Sequence, residues 1–321
     1  MENVLTYLQV NTANAFNIAR DLSWMNSKNE EVSSRDGDVM GYLCDIHVVS
    51  DASALLSLTS APNTWKMRNS FKKWHAYREM MFKEAGVTAS EQGRYGKTIR
   101  PYLNNEFKAL TLRSPFLAGN TGAGVGVATL GEWTYTKIAA TPGFDAGATG
   151  TEGGSIVDVY DLSLCGINTV TSTTALGTER YSNVGMIHSY NQDRMEVVTP
   201  TAGETIEGQN NPLALLRYKG TSAGEVMEIT EEQELEAPPY DLRDNGDSVF
   251  PITCALSQLS TLNGGQDGDG DPLPRVPSKT ILRNAFIPAG LCVLSATAGG
   301  SASNSYIQIH VNAKVLCKEM A

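Results

Sequence analysis

The sequence is poor in cysteine, and its few cysteines follow no pattern that chemistry uses. Its 321 residues contain no CxxC motif and no cysteine at metal-site spacing from a histidine. These absences exclude a zinc ribbon, a zinc finger and a redox dithiol. We expect buried, reduced thiols in a protein made in a reducing compartment, at Cys44, Cys165, Cys254, Cys292 and Cys317.

Long apolar runs and a basic N-terminus are also missing. No apolar stretch approaches the roughly 20 residues that a membrane-spanning helix needs. The first residues include Glu2 and no cationic cluster, and asparagine and threonine interrupt residues 4–19, so no secretory signal is expected. The sequence predicts a soluble protein that is made in the cytoplasm and is not exported.

Charge is scarce as well. Charged residues make up 19% of the chain, below the usual quarter, and the net charge is -10. The sequence has no arginine-rich tail that could condense a nucleic acid, and its overall sign repels phosphate. The cations that are present concentrate in residues 66–100.

No frame of catalytic residues is recognisable. The four histidines, His47, His75, His188 and His310, are far apart, and none belongs to an HExxH motif or follows a nucleophile elbow. The GRYGKT segment at residues 93–98 has two residues too few between its glycines to wrap a phosphate. The sequence therefore predicts a protein that is not an enzyme and uses no cofactor.

One acidic segment has the alternating carboxylates of a calcium loop, at Asp267, Asp269 and Asp271. Pro272 stands where such a loop needs glycine, and Ser278 stands where it needs a bidentate glutamate. We expect an exposed acidic turn there and no functional metal, with these three residues as the weak candidate site.

A single helix stands out, at residues 63–85. Pro62 precedes it, Asn63 or Thr64 can cap it, and Gly86 can end it, while Phe71 and Trp74 lie on its apolar side. Its polar side carries cations that could contact phosphate, in nucleic acid or in lipid head groups: Lys66, Arg68, Lys72 and Lys73. The alternative is an ordinary solvated helix face.

Most of the remaining chain has the pattern of short strands. Residues 39–50 and 306–317 alternate apolar and polar side chains, and turn residues separate shorter extended segments after Pro101, including residues 184–189. Many strands with one strong helix predict an all-β sandwich or jelly roll.

Length and composition suggest two β units. A polar, turn-rich stretch at residues 200–212 separates a first sandwich, 36–200 with helix 63–85, from a second, 201–321. Residues 1–35 precede them as an N-terminal arm or helix. The predicted fold is therefore a tandem, or double, jelly roll, and a single jelly roll with large insertions is the alternative.

The chain resembles jelly-roll viral major capsid proteins, in particular the double jelly-roll coat proteins of tailless icosahedral phages with an internal membrane. The resemblance lies in the inserted helix, NTWKMRNSFKKWHAYREMMFKEAGV, in the segments YGKTIRPY, GMIHSYN and LEAPPYD, and in the terminal hairpin, AFIPAGLCVLSATAGGSASNSYIQIHVNAKVLC. It implies a virion protein, a homotrimer that self-assembles into an icosahedral shell. It also implies contacts with other virion proteins, and with an internal membrane or the genome on the inner face.

Two other function classes stay open. A carbohydrate-active or carbohydrate-binding β-sandwich could stack sugars on the 12 tyrosines, although the missing signal argues against export. Another phage structural component, such as a tail or spike protein, would have a similar composition.

Overall fold

The computed structural model describes residues 3–9, 13–34, 36–50, 54–88, 90–92, 98–110, 112–117, 126–127, 133–140, 158–173, 179–195, 250–259, 278–298 and 305–318. In chain order their elements are β1 (Val4–Gln9), β2 (Ala13–Asn17), α1 (Ile18–Asn26), β3 (Met40–Ser50), β4 (Ala54–Ser60), α2 (Trp65–Glu84), α3 (Asn105–Ala109), β5 (Phe116–Leu117), β6 (Gly126–Val127), β7 (Lys137–Ala140), β8 (Asp158–Ser163), β9 (Thr169–Thr173), β10 (Glu179–Gly185), α4 (Met186–Met195), β11 (Ile252–Leu259), β12 (Ser278–Pro288), β13 (Leu291–Ala298) and β14 (Ser305–Leu316). Strand predominates over helix, which confirms the all-β class. None of the helices in these ranges is long and apolar enough to span a membrane.

Eight of the strands form two four-stranded antiparallel sheets. The first sheet has the order β1-β14-β3-β12, and the second sheet has the order β2-β13-β4-β11. If these eight strands are counted from one to eight along the chain, the orders are 1-8-3-6 and 2-7-4-5. The chain therefore crosses between the sheets at every step except the fourth, where β4 and β11 are neighbours in one sheet.

The core lies between the two sheets because the strands alternate apolar and polar side chains. On β3, the side chains of Tyr42, Cys44, Ile46 and Val48 are all fully buried, as their spacing predicts. Tyr7 of β1 meets the second sheet edge-on at Phe16 of β2, with ring centroids 4.8 Å apart. One continuous apolar core thus joins both sheets.

A tight turn joins the two sheets at residues 289–290. Ala289 and Gly290 both have positive φ, at 56° and 71°, and the Gly290 amide donates to the Ile287 carbonyl at 3.3 Å, which closes the turn. A Cβ at Gly290 would lie 3.1 Å from the backbone nitrogen of Ala19 and from the Tyr42 ring, so glycine lets the turn pack closely. The Gly290 carbonyl accepts the Ile18 amide at 2.8 Å, which positions the start of α1.

The predicted central helix is confirmed as α2. The Thr64 side chain caps it by accepting the Met67 amide, and Phe71 and Trp74 are fully buried. Between β4 and β11 the chain also forms α3, α4, the small pair β5-β6, and a third sheet in the order β7-β8-β10-β9. The Tyr135 hydroxyl accepts a hydrogen bond of 3.0 Å from the Asn17 side-chain amide, and this contact connects the insertion to β2.

Strands pair across both of the predicted domain boundaries, the one near residue 35 and the one near residue 200. Residues 4–9 and 13–17, which the sequence assigns to an arm or helix, are edge strands that pair with β14 and β13. Leu5 and Tyr7 alternate into the core, and a helix begins only after the Asn17 cap, at Ile18.

The boundary at residue 200 does not separate two sets of sheets either. Within the residues described, β3 from the predicted first sandwich pairs with β12 and β14 from the predicted second. The predicted strand at 184–189 is also corrected, because β10 ends at Gly185 and α4 begins at Met186.

Candidate functional site

The cations predicted to meet phosphate do not share one exposed face of α2. Lys66 is 2% exposed. Lys73 forms an ion pair with Asp193 of α4, which is itself buried. Both lysines lie on a side of the helix that packs against other elements, where Tyr190 contacts Trp65 with ring centroids 6.2 Å apart.

The two remaining cations of the predicted set are closer to solvent, and both have partners. Lys72 is exposed and pairs with Asp38 at 3.3 Å. Arg68 donates to the Asn63 side-chain oxygen at 3.3 Å. Lys72 is thus the member of the predicted set that the structure places in solvent, and a continuous cationic surface is not formed by these four residues.

The acidic turn at Asp267, Asp269 and Asp271 lies outside the described residues, so the structure says nothing about it. Within the described ranges, no three histidine, cysteine, aspartate or glutamate side chains come together as a metal cage.

The thiols have the environment of structural cysteines. All five are free, and Cys44, Cys165, Cys292 and Cys317 are buried. Burial raises the pKa of the Cys44 and Cys317 thiols to about 12. Because the thiolate is the reactive form, these groups are poor nucleophiles at neutral pH.

A buried polar network joins β1 to α1. The Tyr7 hydroxyl donates to Asp21 Oδ2 at 2.6 Å, and Arg20 Nε donates to Asp21 Oδ1 at 2.8 Å. Burial raises the pKa of the Asp21 carboxyl to about 6, against the opposing effects of Arg20 and Tyr7. Both carboxylate oxygens are engaged and the side chain is fully buried, so the network ties the strand to the helix and offers no group to a substrate.

Three of the four histidines fall into two environments. His75 is buried and shares a hydrogen bond of 3.1 Å with the Ser33 hydroxyl, and burial lowers its pKa to about 4. His47 and His310 lie on the outer face of the first sheet with ring centroids 4.5 Å apart. The two residues are far apart in the sequence, and only the pairing register of β3 and β14 brings them together. A pattern within either strand therefore could not predict their contact.

An apolar surface occupies the edge of the second sheet. Four large apolar side chains on or near the two strands at this edge are exposed, with exposed fractions from 38% for Ile252 to 64% for Leu256: Leu55, Phe250, Ile252 and Leu256. Leu55 and Leu256 share the outer face of adjacent strands, where Leu256 lies opposite Ser57, and we call this pair the β11 surface. Ile252 lies opposite the buried Ser60, so its side chain belongs to the other face of the sheet.

No family model, curated protein or solved structure matches this chain. The described residues show two sheets with a defined strand order, an apolar edge, and α2 cations with nearby partners.

Proposed function

We propose that the protein is a structural coat subunit that self-assembles into an icosahedral shell, and that its two main sheets form a single jelly roll. The observation that carries this proposal is the strand order, 1-8-3-6 in one sheet and 2-7-4-5 in the other. This order results when a long hairpin is rolled so that successive strands alternate between two antiparallel sheets. Jelly rolls of eight strands are the architecture of viral capsid and lectin domains.

A single jelly roll with a large insertion accounts for the length of the chain. The eight strands come from residues 4–60 and 252–316, and the insertion lies between the fourth and fifth strands. The chain-terminal strands β1 and β14 pair with each other, which closes the unit. The double jelly roll expected from length is therefore replaced by one sandwich that carries α2 and the third sheet as an elaboration.

The β11 surface is the part of the described molecule best suited to contact a second copy. An exposed apolar edge strand favours pairing or burial against another chain. A shell requires repeated contacts, and each stable interface buries well over about 1,000 Å². Leu55 and Leu256, which share one face of the sheet, would form the centre of such an interface, with polar neighbours such as Gln258 at its rim.

Contact with the genome or an internal membrane has less support than self-association. Lys66 and Lys73 are committed to interactions within the fold, so Lys72 is the remaining exposed member of the predicted set. The homotrimer and the contacts with other virion proteins rest on the resemblance given above.

Assembly can be tested on the purified protein. Light scattering coupled to size-exclusion chromatography should report a trimer or larger species at tens of micromolar, and negative-stain microscopy should show closed shells or capsomers. Leu256→Asp should shift the population towards monomer, because it places a charge in the apolar interface.

Gln308→Asp is the matched control, since Gln308 is also exposed but lies on the outer face of the first sheet. It should assemble as the unchanged protein does. A stable monomer at tens of micromolar, with no particles under any salt condition, would contradict the proposal.

A carbohydrate-binding protein is the second candidate, because lectins share the jelly-roll architecture. A glycan array would separate the two. Specific glycan binding by a protein that stays monomeric would favour the lectin, whereas assembly without glycan binding favours the coat subunit.

A further inference from the structure

Two imidazole rings meet on the outer face of the first sheet. His47 lies on β3 and His310 on β14, and the antiparallel register places Gln308 opposite His47 and Asp45 opposite His310. The rings are therefore diagonal neighbours, with centroids 4.5 Å apart and planes inclined by 35°. Because β3 and β14 are the two central strands of this sheet, the backbone holds both residues in place.

The separation of the rings suits a shared metal ion. A metal–nitrogen bond of about 2.0 to 2.1 Å places an ion about 3.2 Å from the centre of an imidazole ring. Two rings that bind one ion at a right angle then have centres about 4.5 Å apart. The observed spacing has this value, so small side-chain rotations would complete the geometry without movement of the strands.

One nitrogen of the pair is unsatisfied. His310 Nε2 is shielded from solvent and has no hydrogen-bond partner within the described chain. A covered polar atom without a partner is unfavourable, and a bound ion is one of the ordinary ways to satisfy it.

The surrounding charges leave the imidazoles available and set a limit on affinity. Both oxygens of Asp45 are occupied, one by the Asn284 amide at 2.7 Å and the other by the Asn312 side-chain amide at 2.9 Å. Burial, His310, Lys279 and Arg283 lower the pKa of His47 against the effect of Asp45. The same cations oppose a divalent ion, so binding should be of moderate strength.

We propose that His47 and His310 together bind one divalent transition-metal ion that prefers imidazole and takes ligands at right angles, such as Ni²⁺ or Cu²⁺, with water completing its coordination. The ion would cross-link β3 to β14. This site differs from the acidic turn at residues 267–271, and it does not depend on the proposed assembly.

The test uses the full chain without a histidine tag. Calorimetric titration with Ni²⁺ at pH 8 should show one site per chain. His47→Ala and His310→Ala should each weaken binding by at least about tenfold, because each removes one of two ligands, and titration at pH 5.5 should weaken it similarly because protons compete for the ring nitrogens. Electron paramagnetic resonance with Cu²⁺ should detect two coordinated nitrogens in the unchanged protein and one in each variant.

Gln308→Ala is the control, because it removes an exposed neighbour that lies opposite His47 and has no imidazole. Its binding should equal that of the unchanged protein, and all variants should keep the same circular dichroism spectrum, since these side chains lie outside the core. No binding at millimolar Ni²⁺, or binding that persists in either histidine variant, would overturn the proposal.

Discussion

Removal of the Tyr7 hydroxyl tests the buried network that joins β1 to α1. Tyr7→Phe keeps the ring that contacts Phe16 and removes only the oxygen that donates to Asp21 at 2.6 Å. Both side chains are fully buried, so water cannot replace the lost donor. The variant should therefore be less stable without a change of fold.

The size of the effect depends on the charge of Asp21. A hydrogen bond to a charged group contributes about 1.5 to 3 kcal/mol, and one between neutral groups contributes about 0.5 to 1.5 kcal/mol. With its pKa raised to about 6, the Asp21 carboxyl is ionised at pH 8 and largely protonated at pH 5. Tyr7→Phe should cost about 1.5 to 3 kcal/mol at pH 8 and about half as much at pH 5.

The raised pKa of Asp21 also makes the stability of the whole fold depend on pH. The folded protein holds the Asp21 proton more tightly than the unfolded chain, whose carboxyl has a pKa near 3.8. The contribution of Asp21 to stability is therefore greatest below pH 4 and declines by about 3 kcal/mol as the pH rises through 6.

Tyr42→Phe is the matched control. Tyr42 is also fully buried, but its hydroxyl has no hydrogen-bond partner within the described residues. Its removal should leave stability unchanged or raise it by up to about 1 kcal/mol. Urea denaturation followed by circular dichroism at pH 5 and pH 8 measures all four values. Equal losses for the two variants, or a Tyr7→Phe loss that does not change with pH, would refute the assignment of the network.

Three further predictions concern the core, the thiols and the acidic turn. Trp74→Ala should reduce the free energy of unfolding by about 3 to 5 kcal/mol, because the ring is fully buried and packs edge-on to Tyr77 at 5.4 Å; an unchanged urea midpoint would contradict this. Thiol titration of the denatured, non-reduced chain should find five free thiols, and three or fewer would point to disulfides. Calcium up to millimolar concentration should leave the melting temperature unchanged, whereas a rise of several degrees would make Asp267, Asp269 and Asp271 a real site.

Elements with strong local signals could be predicted from the sequence. The strand β3 alternates regularly over residues 40–50 and β14 over residues 306–311, and α2 has a cap at Thr64 and Gly86 beyond its end. On β14 the alternation holds through Val311, but a register shift follows and Val315 is 44% exposed. The alternation within each strand was enough to predict these strands. The bulge that redirects Val315 could not be predicted in this way, because it depends on pairing with the partner strand.

Features that depend on distant partners could not be predicted. The segment after Gly185 reads as a strand because Met186 and Ile187 are apolar, yet it is a helix packed against α2. The positive charges of α2 suggested a solvated face, but Asp193 lies outside that helix and neutralises Lys73 in the fold. The juxtaposition of His47 and His310 likewise requires knowledge of the strand register, which no short-range pattern contains.

The pairing of the N-terminal residues predicts the result of an N-terminal truncation. A detachable arm could be removed without unfolding the rest of the chain. Instead, β1 pairs with β14 along Val4–Gln9, and Leu5 and Tyr7 are fully buried. Their burial contributes about 1.5 to 3 kcal/mol for each side chain. Loss of Tyr7 also leaves the buried Oδ2 atom of Asp21 without its donor, while Arg20 still donates to Oδ1, at a further cost of about 1 to 3 kcal/mol.

The sum approaches the total stability of about 5 to 15 kcal/mol that a typical domain has, even before the lost strand pairing is included. We therefore expect a chain that lacks residues 1–12 to be unfolded or insoluble, as measured by circular dichroism and by the soluble fraction after expression. Thr6→Ala serves as the control, since Thr6 lies in the same strand and is only partly buried, and it should melt within a few degrees of the unchanged protein. A truncated chain that kept the native melting temperature would show that β1 is dispensable, and the N-terminal residues would then regain the role of a detachable arm.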